Sequence, residues 1–254
     1  MILLRQLLYK CLMGFAISLA TTVSYAETIT VAAPVFSPFF TESSDKGIFE
    51  KLLDEAFELI PGVDYKMVYL PFNRVPVHFN QKKVDAAANI FRLDEVNKGA
   101  FISKPFFRYK DCFFALKETK MFGDDYNFGG LTLITYTGAT VFQGERFKKA
   151  AVSAKEYKEI VKVDKLGYYV GKKRYDYGMG DIFIFYDSLE KYGKGTLHPS
   201  QFKLTCSFGQ MFSMMGFHSE SLRDKFNKAA DELVKNGTYA KVFQDYKDKY
   251  LDQK

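Results

Sequence analysis

The sequence predicts an α/β protein built as two units in series, and three observations carry that reading. Short apolar or β-branched runs alternate with stretches of helical periodicity, a pattern that favours a mostly parallel sheet flanked by helices. The alternation runs once to about residue 117, breaks in a polar stretch at 118–130, and then restarts. The 254 residues suffice for two cores of roughly 110 residues each.

Taken in order, Thr28–Ala33 (TITVAA) is a short β-branched strand, followed by a Pro-, Phe- and Ser-rich loop over 34–46. Gly47–Ile60 carries Ile48, Leu52, Leu53, Ala56, Leu59 and Ile60 on one helical stripe, which stops at Pro61-Gly62. Tyr65–Leu70 is a second strand, Pro71–Lys83 a helix with Pro76 tolerated in its first turn, and Val84–Ile90 a third strand apolar enough to be buried on both faces. Arg108–Lys117 reads as extended. After the break, Leu131–Tyr136 is a strand, 141–150 a helix, and a further helical stretch runs through Leu166 and Val170. Arg174–Asp181 leads into the next strand and Gln201–Ser207 is another. Ser219 caps a helix with Leu222, Phe226, Ala229, Ala230 and Leu233 inward, ended by Asn236-Gly237; Thr238–Leu251 is the last, using Val242, Phe243, Tyr246 and Tyr250. These closing helices read as left over from the first unit. A chain that enters one unit, builds a second and returns leaves a cleft between them, where ligands favour binding.

Composition narrows the function. With 47% hydrophobic and 26% charged residues the chain is neither disordered nor fibrous. Residues 1–26 carry the bases Arg5 and Lys10 and no acid, so the +6 of the whole chain falls to +4 without them. Bases and acids are mixed along the rest, too weak a balance for nucleic-acid binding. Those 26 residues read as a secretory signal: a positive start, an apolar run over Cys11–Ala20, and Ser24-Tyr25-Ala26 before a cut at Glu27. A membrane anchor is the competing reading, and the run falls short of the ~20 residues a spanning helix needs. Lipid attachment at Cys11 is disfavoured by Tyr9-Lys10 before it. Only Cys112 and Cys206 remain after cleavage; export permits a disulfide between them, and two buried thiols is the alternative. His78, His198 and His218 lack ligand spacing, so no metal or cofactor site is expected.

Four segments then resemble one family, the type-II extracellular solute-binding proteins of ABC importers, specifically the bacterial family 3 group that includes polar-amino-acid binders. Ile29-Thr30-Val31 with Phe36-Ser37-Pro38-Phe39 is similar to its first strand and aromatic loop. Leu70-Pro71-Phe72-Asn73-Arg74 with Lys83-Val84-Asp85-Ala86 is similar to its Pro-aromatic-x-Arg helix start and following strand. Phe91-Arg92-Leu93-Asp94-Glu95 and Phe101-Ile102-Ser103-Lys104-Pro105-Phe106-Phe107 resemble its Arg-Thr-x-Glu-Arg and Phe-Ser-x-Pro-Tyr signatures, and Arg174-Tyr175-Asp176-Tyr177 with Asp181 resembles its Gly-Arg-x-Asp motif. The likeness spans nearly all of 28–251, closing on Asn236-Gly237-Thr238-Tyr239. It implies a two-lobe type-II periplasmic-binding-protein-like fold, with lobe 1 at 27–109 plus 208–254, lobe 2 at 110–207, and the lobes closing on a ligand like a clamp.

The resemblance also implies site residues. The family's second signature Arg, which holds an α-carboxylate through a planar fork, falls on Val96 here, with Asn97 beside it, so an ordinary α-amino acid is not implied. Arg92 and Arg74 are the remaining candidates for an anionic group, with a surface or salt-bridged Arg as the alternative for each. Asp181 falls where relatives hold an ammonium, and a strand-end Asp bonding loop amides is the alternative. Phe36 and Phe72 fall where rings sandwich the ligand, although among 26 Phe a given ring is more often core. Thr140, with Gly138 and Ala139, precedes a helix whose amides could meet an anion.

The implied function is a non-catalytic, monomeric periplasmic protein that captures a small polar solute, an amino acid or amino-acid-like compound, and delivers it to an inner-membrane ABC permease. Two other uses stay open: an acid–base elimination enzyme similar to cyclohexadienyl dehydratase, and a ligand-sensing partner of a membrane receptor. No catalytic residue is assigned.

Overall fold

A computed structural model describes residues 27–120, 122 and 126–251. The expected signal segment at 1–26 lies outside the described residues. Parallel pairing begins at once. Strand β1 (Glu27–Pro34) runs beside β2 (Val63–Leu70) from Glu27↔Val63 to Pro34↔Leu70, and on its other edge beside β3 (Ala86–Ile90). The connection from β1 to β2 is α1 (Ile48–Glu58), and from β2 to β3 a 3-10 turn at Phe72–Arg74 followed by α2 (Val75–Asn80). Successive β1 side chains enter two different cores. Val31 and Ala33 pack with Phe49, Leu52 and Phe57 of α1, while Ala32 packs with Val75, Phe79 and Val84. The strand is apolar over Val31–Ala33, where both of its faces are covered.

The second unit repeats the scheme. Strand β6 (Thr132–Tyr136) pairs in parallel with β7 (Glu156–Ile160) and β8 (Tyr177–Asp181). Helices α3 (Ala139–Phe142) and α4 (Gly144–Ser153) connect β6 to β7, and α5 (Leu166–Gly171) connects β7 to β8. Helix α6 (Ile182–Gly193) follows β8 directly. Two long antiparallel strands join the units: β5 (Phe107–Leu116) and β10 (Gln210–Phe217) pair with one another, β10 then meets β3, and β5 meets β8. Short strands β4 (Phe101–Ile102) and β9 (Phe202–Thr205) pair with β10 and β5. The order β2-β1-β3-β10-β5-β8-β6-β7 follows. The chain then returns, and α7 (Glu220–Lys235) and α8 (Thr238–Leu251) pack on α1 of the first unit. Ser219 accepts a hydrogen bond from Leu222 N at the start of α7, as its cap role requires.

Several elements differ from expectation for identifiable reasons. The helix expected over 71–83 is only six residues long, preceded by a 3-10 turn, because Pro71 and Pro76 both sit at its start. The helix expected over 141–150 divides at Gly144, whose φ of +74 leaves the α region. Strand β7 (EYKEI) is a sheet edge with exposed charges, and α6 begins IFIFY, an apolar run without visible helical period; neither was expected. A disulfide joins Cys112 on β5 to Cys206 just beyond β9, across 94 residues of chain.

Candidate functional site

Where the two units meet lies a cavity of about 430 Å³, within the range of small-molecule sites. The first unit contributes Val35, Phe36, Phe72, Phe91 and Glu95, and the strands between the units contribute Tyr109, Asp111 and Met211. The second unit contributes Tyr136, Thr137, Phe142, Ile160, Val161, Val163, Leu166, Gly180, Asp181 and Ile184.

The aromatic wall is set by the loop after β1. Its backbone doubles back, Phe36 N donating to Phe40 O at 2.9 Å and Phe40 N to Phe36 O at 3.0 Å. The first amides of α1 then dock on it, Ile48 N to Pro38 O and Phe49 N to Phe39 O. That approach needs glycine before the helix, since a Cβ on Gly47 would meet Phe39 O at 2.3 Å. So held, the Phe36 ring sits 6.3 Å from Tyr109, which stacks on Phe91 at 5.5 Å. Phe91 in turn lies 6.1 Å from Phe72 and 6.0 Å from Phe142, whose ring reaches Tyr136. Behind the wall, Asn89 Oδ1 accepts from Tyr109 Oη and Ser213 Oγ, and the buried Asn89 Nδ2 has no hydrogen-bond partner among the described residues.

The polar groups converge on a carboxylate pair. Asp111 and Asp181 stand directly opposite in the antiparallel β5–β8 register, which puts them side by side on one face. Both are at least 96% buried. Asp181 caps α6: Oδ1 accepts from Phe183 N at 2.8 Å and Ile184 N at 3.4 Å, and Oδ2 from Lys110 N at 2.7 Å. Asp111 Oδ2 accepts from Tyr136 Oη at 2.7 Å and Gln143 Nε2 at 2.6 Å, while no described residue donates to its Oδ1. Burial pushes the Asp181 carboxyl up to about 7, against its three amide donors and with help from the Asp111 charge. Burial likewise pushes Asp111 up to about 6, although Tyr136 and Gln143 oppose the shift. The Tyr109 and Tyr136 phenols are raised by burial and the adjacent carboxylates, so both remain neutral donors.

Of the residues singled out in the sequence, Phe36, Phe72 and Asp181 line the cavity, and Arg74, Arg92 and Thr140 are not among its lining residues. Asp181 bonds amides, as the alternative reading has it, and also lines the cavity. Arg92 instead makes a two-armed exposed ion pair with Asp94, two residues along the same turn. Arg74 is exposed at the end of its 3-10 turn. Thr140 lies within α3, only four residues long, and the Gly138 amide before it already donates to Glu159 at 2.8 Å. Val96 packs against the Val75–Phe79 core. Tyr109, Asp111 and Tyr136 were missed, although an Asp set among Cys112, Phe113 and Phe114 in an apolar strand is a sequence-level signal of a paired or functional carboxylate. Among the described residues no cluster of three metal-ligating side chains occurs.

No protein-family model matches the chain, and no curated protein does. Solved structures do. A probable amino-acid ABC transporter extracellular-binding protein, ytmK of Bacillus subtilis, superposes with a TM-score of 0.68 at 19% identity, over 89% of this chain and 99% of that one. A histidine-bound ABC uptake transporter substrate-binding protein from Streptococcus pneumoniae gives 0.62 at 17% identity, over 89% and 93%. The glutamate-bound GluR0 ligand-binding core from Nostoc punctiforme gives 0.60 at 20% identity, over 88% and 99%. The chain has their fold. That fold is the two-lobe periplasmic-binding-protein-like α/β architecture expected from the sequence.

Proposed function

We propose that this protein is an extracellular solute-binding protein that captures a small polar, nitrogen-bearing solute and hands it to an ABC importer. One observation carries the reading: the cavity is built from both units, so a guest inside it touches both and stabilises their closed arrangement over the open one. In this reading lobe 1 is 27–109 plus 208–254, lobe 2 is 110–207, and strands β5 and β10 provide the crossings. Export by the N-terminal segment, a monomeric state and docking to a membrane permease belong to the same proposal. The structural neighbours named for amino-acid transport, and those bound to arginine, glutamine or histidine, support it as analogues of fold.

The protein is read as a binder rather than an enzyme. The carboxyls of Asp111 and Asp181 titrate close to neutrality, but five protein donors hold them in place, and one of the two closes a helix end.

The test is a thermal-shift screen of amino acids, amines, organic acids and sugars. A ligand at a hundredfold excess over its Kd stabilises by about 2.7 kcal/mol, which raises the Tm of a chain this size by roughly 5–10 °C. No stabilisation by any solute in the panel overturns the reading.

A further inference from the structure

The charge inventory of the cavity is one-sided. Glu95, Asp111 and Asp181 line it, and among the described residues no Lys, Arg or His does. The two bases singled out in the sequence lie outside its lining: Arg92 pairs with Asp94, and Arg74 is exposed at the end of its 3-10 turn. A ligand carboxylate placed here would lose its water, find no cationic partner, and lie beside buried acids; each effect opposes binding. A ligand ammonium meets the reverse situation. Asp111 lines the cavity, its side chain is oriented by Tyr136 and Gln143 on Oδ2, and no described residue donates to its Oδ1. Asp181 stands opposite in register. The rings of Phe36, Phe72 and Phe91 line the same cavity, and aromatic rings attract cations as well as accepting apolar groups.

We propose that the cavity selects an organic amine cation carried on an apolar body and lacking a carboxylate. The proposal rests on the solute-binding reading above and specifies its ligand class. The acid-lined, ring-walled geometry separates an amine from the amino acid that differs from it only by a carboxyl group.

The experiment is calorimetric titration of the full protein at pH 8 with matched pairs: tyramine and tyrosine, histamine and histidine, agmatine and arginine. At least one amine is expected to bind a hundredfold or more tighter than its carboxylated partner. Asp111→Asn is expected to weaken that amine at least tenfold and to leave the weak partner unchanged or improved, with a native circular-dichroism spectrum. Glu95→Gln, at the less buried edge of the cavity, is expected to weaken it several-fold and serves if Asp111→Asn does not fold. An amino acid that binds as tightly as its amine, or amine affinity that survives both substitutions, overturns the ligand assignment and leaves solute binding standing. Silence from these pairs together with silence in the wider screen overturns solute binding itself.

Discussion

Replacing Asp181 by Asn is expected to make the empty protein more stable above neutrality, while weakening its grip on a cation. A carboxyl whose ordinary value is near 3.8 and which burial holds at about 7 corresponds to a folding penalty of roughly 4 kcal/mol once fully ionised, at about 1.4 kcal/mol per tenfold in proton affinity. The folded value lies above the unfolded one, so folding favours the protonated form. Stability from this group is therefore complete below about pH 4 and is lost as pH rises towards 7. At pH 5 the penalty is still under about 2 kcal/mol; at pH 8 nearly all of it is present. Asn keeps the α6 cap through its carbonyl oxygen, but its amide then faces the Lys110 N–H, a donor against a donor, costing about 1–2 kcal/mol at either pH. The mismatch cancels when two pH values are compared. Urea unfolding of both proteins should show the variant gaining about 3 kcal/mol on the wild type between pH 5 and pH 8, or roughly 6–12 °C in Tm. A stability gap that is the same at both pH values would show that the buried Asp181 charge is not what the fold works against.

Three further outcomes follow from the same geometry. Phe72→Ala removes a ring that is 53% exposed at the cavity edge, so stability should hardly change, while affinity for an amine falls about 2- to 30-fold in calorimetry, the range of a cation–π contact worth about 0.5–2 kcal/mol. Arg92→Ala breaks only an exposed pair with Asp94, and both the melting temperature and ligand affinity should match wild type; a large loss of affinity would place the guanidinium in the site after all. The double variant Cys112→Ser, Cys206→Ser opens a loop of 94 residues, which loop-closure entropy values at up to about 4.6 kcal/mol. A fall of 3–5 kcal/mol is expected in denaturant unfolding without reductant, and a change below 1 kcal/mol contradicts that account.

The frame of the fold was legible because its signals are local. Strand β1, the α1 stripe and the Ser219 cap are each written in a few adjacent residues, and the Asn236-Gly237 pair separates α7 from α8. The elements that escaped are those whose identity depends on neighbours. Strand β7 is polar at the edge of the sheet, where no described strand pairs with its outer side, and β10 is recognisable only by the strands it inserts between, β3 and β5. The site divides in the same manner. Phe36, Phe72 and Asp181 could be reached through family likeness, because each sits at an element boundary with a recurring local pattern. Asp111 could be reached only by knowing that β5 lies beside β8 in the register that sets it against Asp181. Arg74 and Arg92 lie outside the cavity lining, and sequence shows a charge but not its direction: Arg92 pairs with Asp94 within its own turn.

The proposed selectivity for a cation turns on the position of Asp181. A helix N-terminus and three amide donors favour an ionised carboxylate there, yet burial and the neighbouring Asp111 outweigh them and the group titrates near 7. The carboxyl pair thus lies buried in a cavity with no Lys, Arg or His among its described lining residues. A cation entering between the rings supplies a counter-charge, and its affinity for the site and the ionisation of the pair reinforce each other. Binding must then displace protons wherever the pair is still partly protonated. Titrations of the amine at pH 6.5 in buffers of different ionisation enthalpy should show proton release that fades by pH 9. A guest that binds with no proton exchange at pH 6.5 would have to sit away from Asp111 and Asp181, on the apolar walls alone.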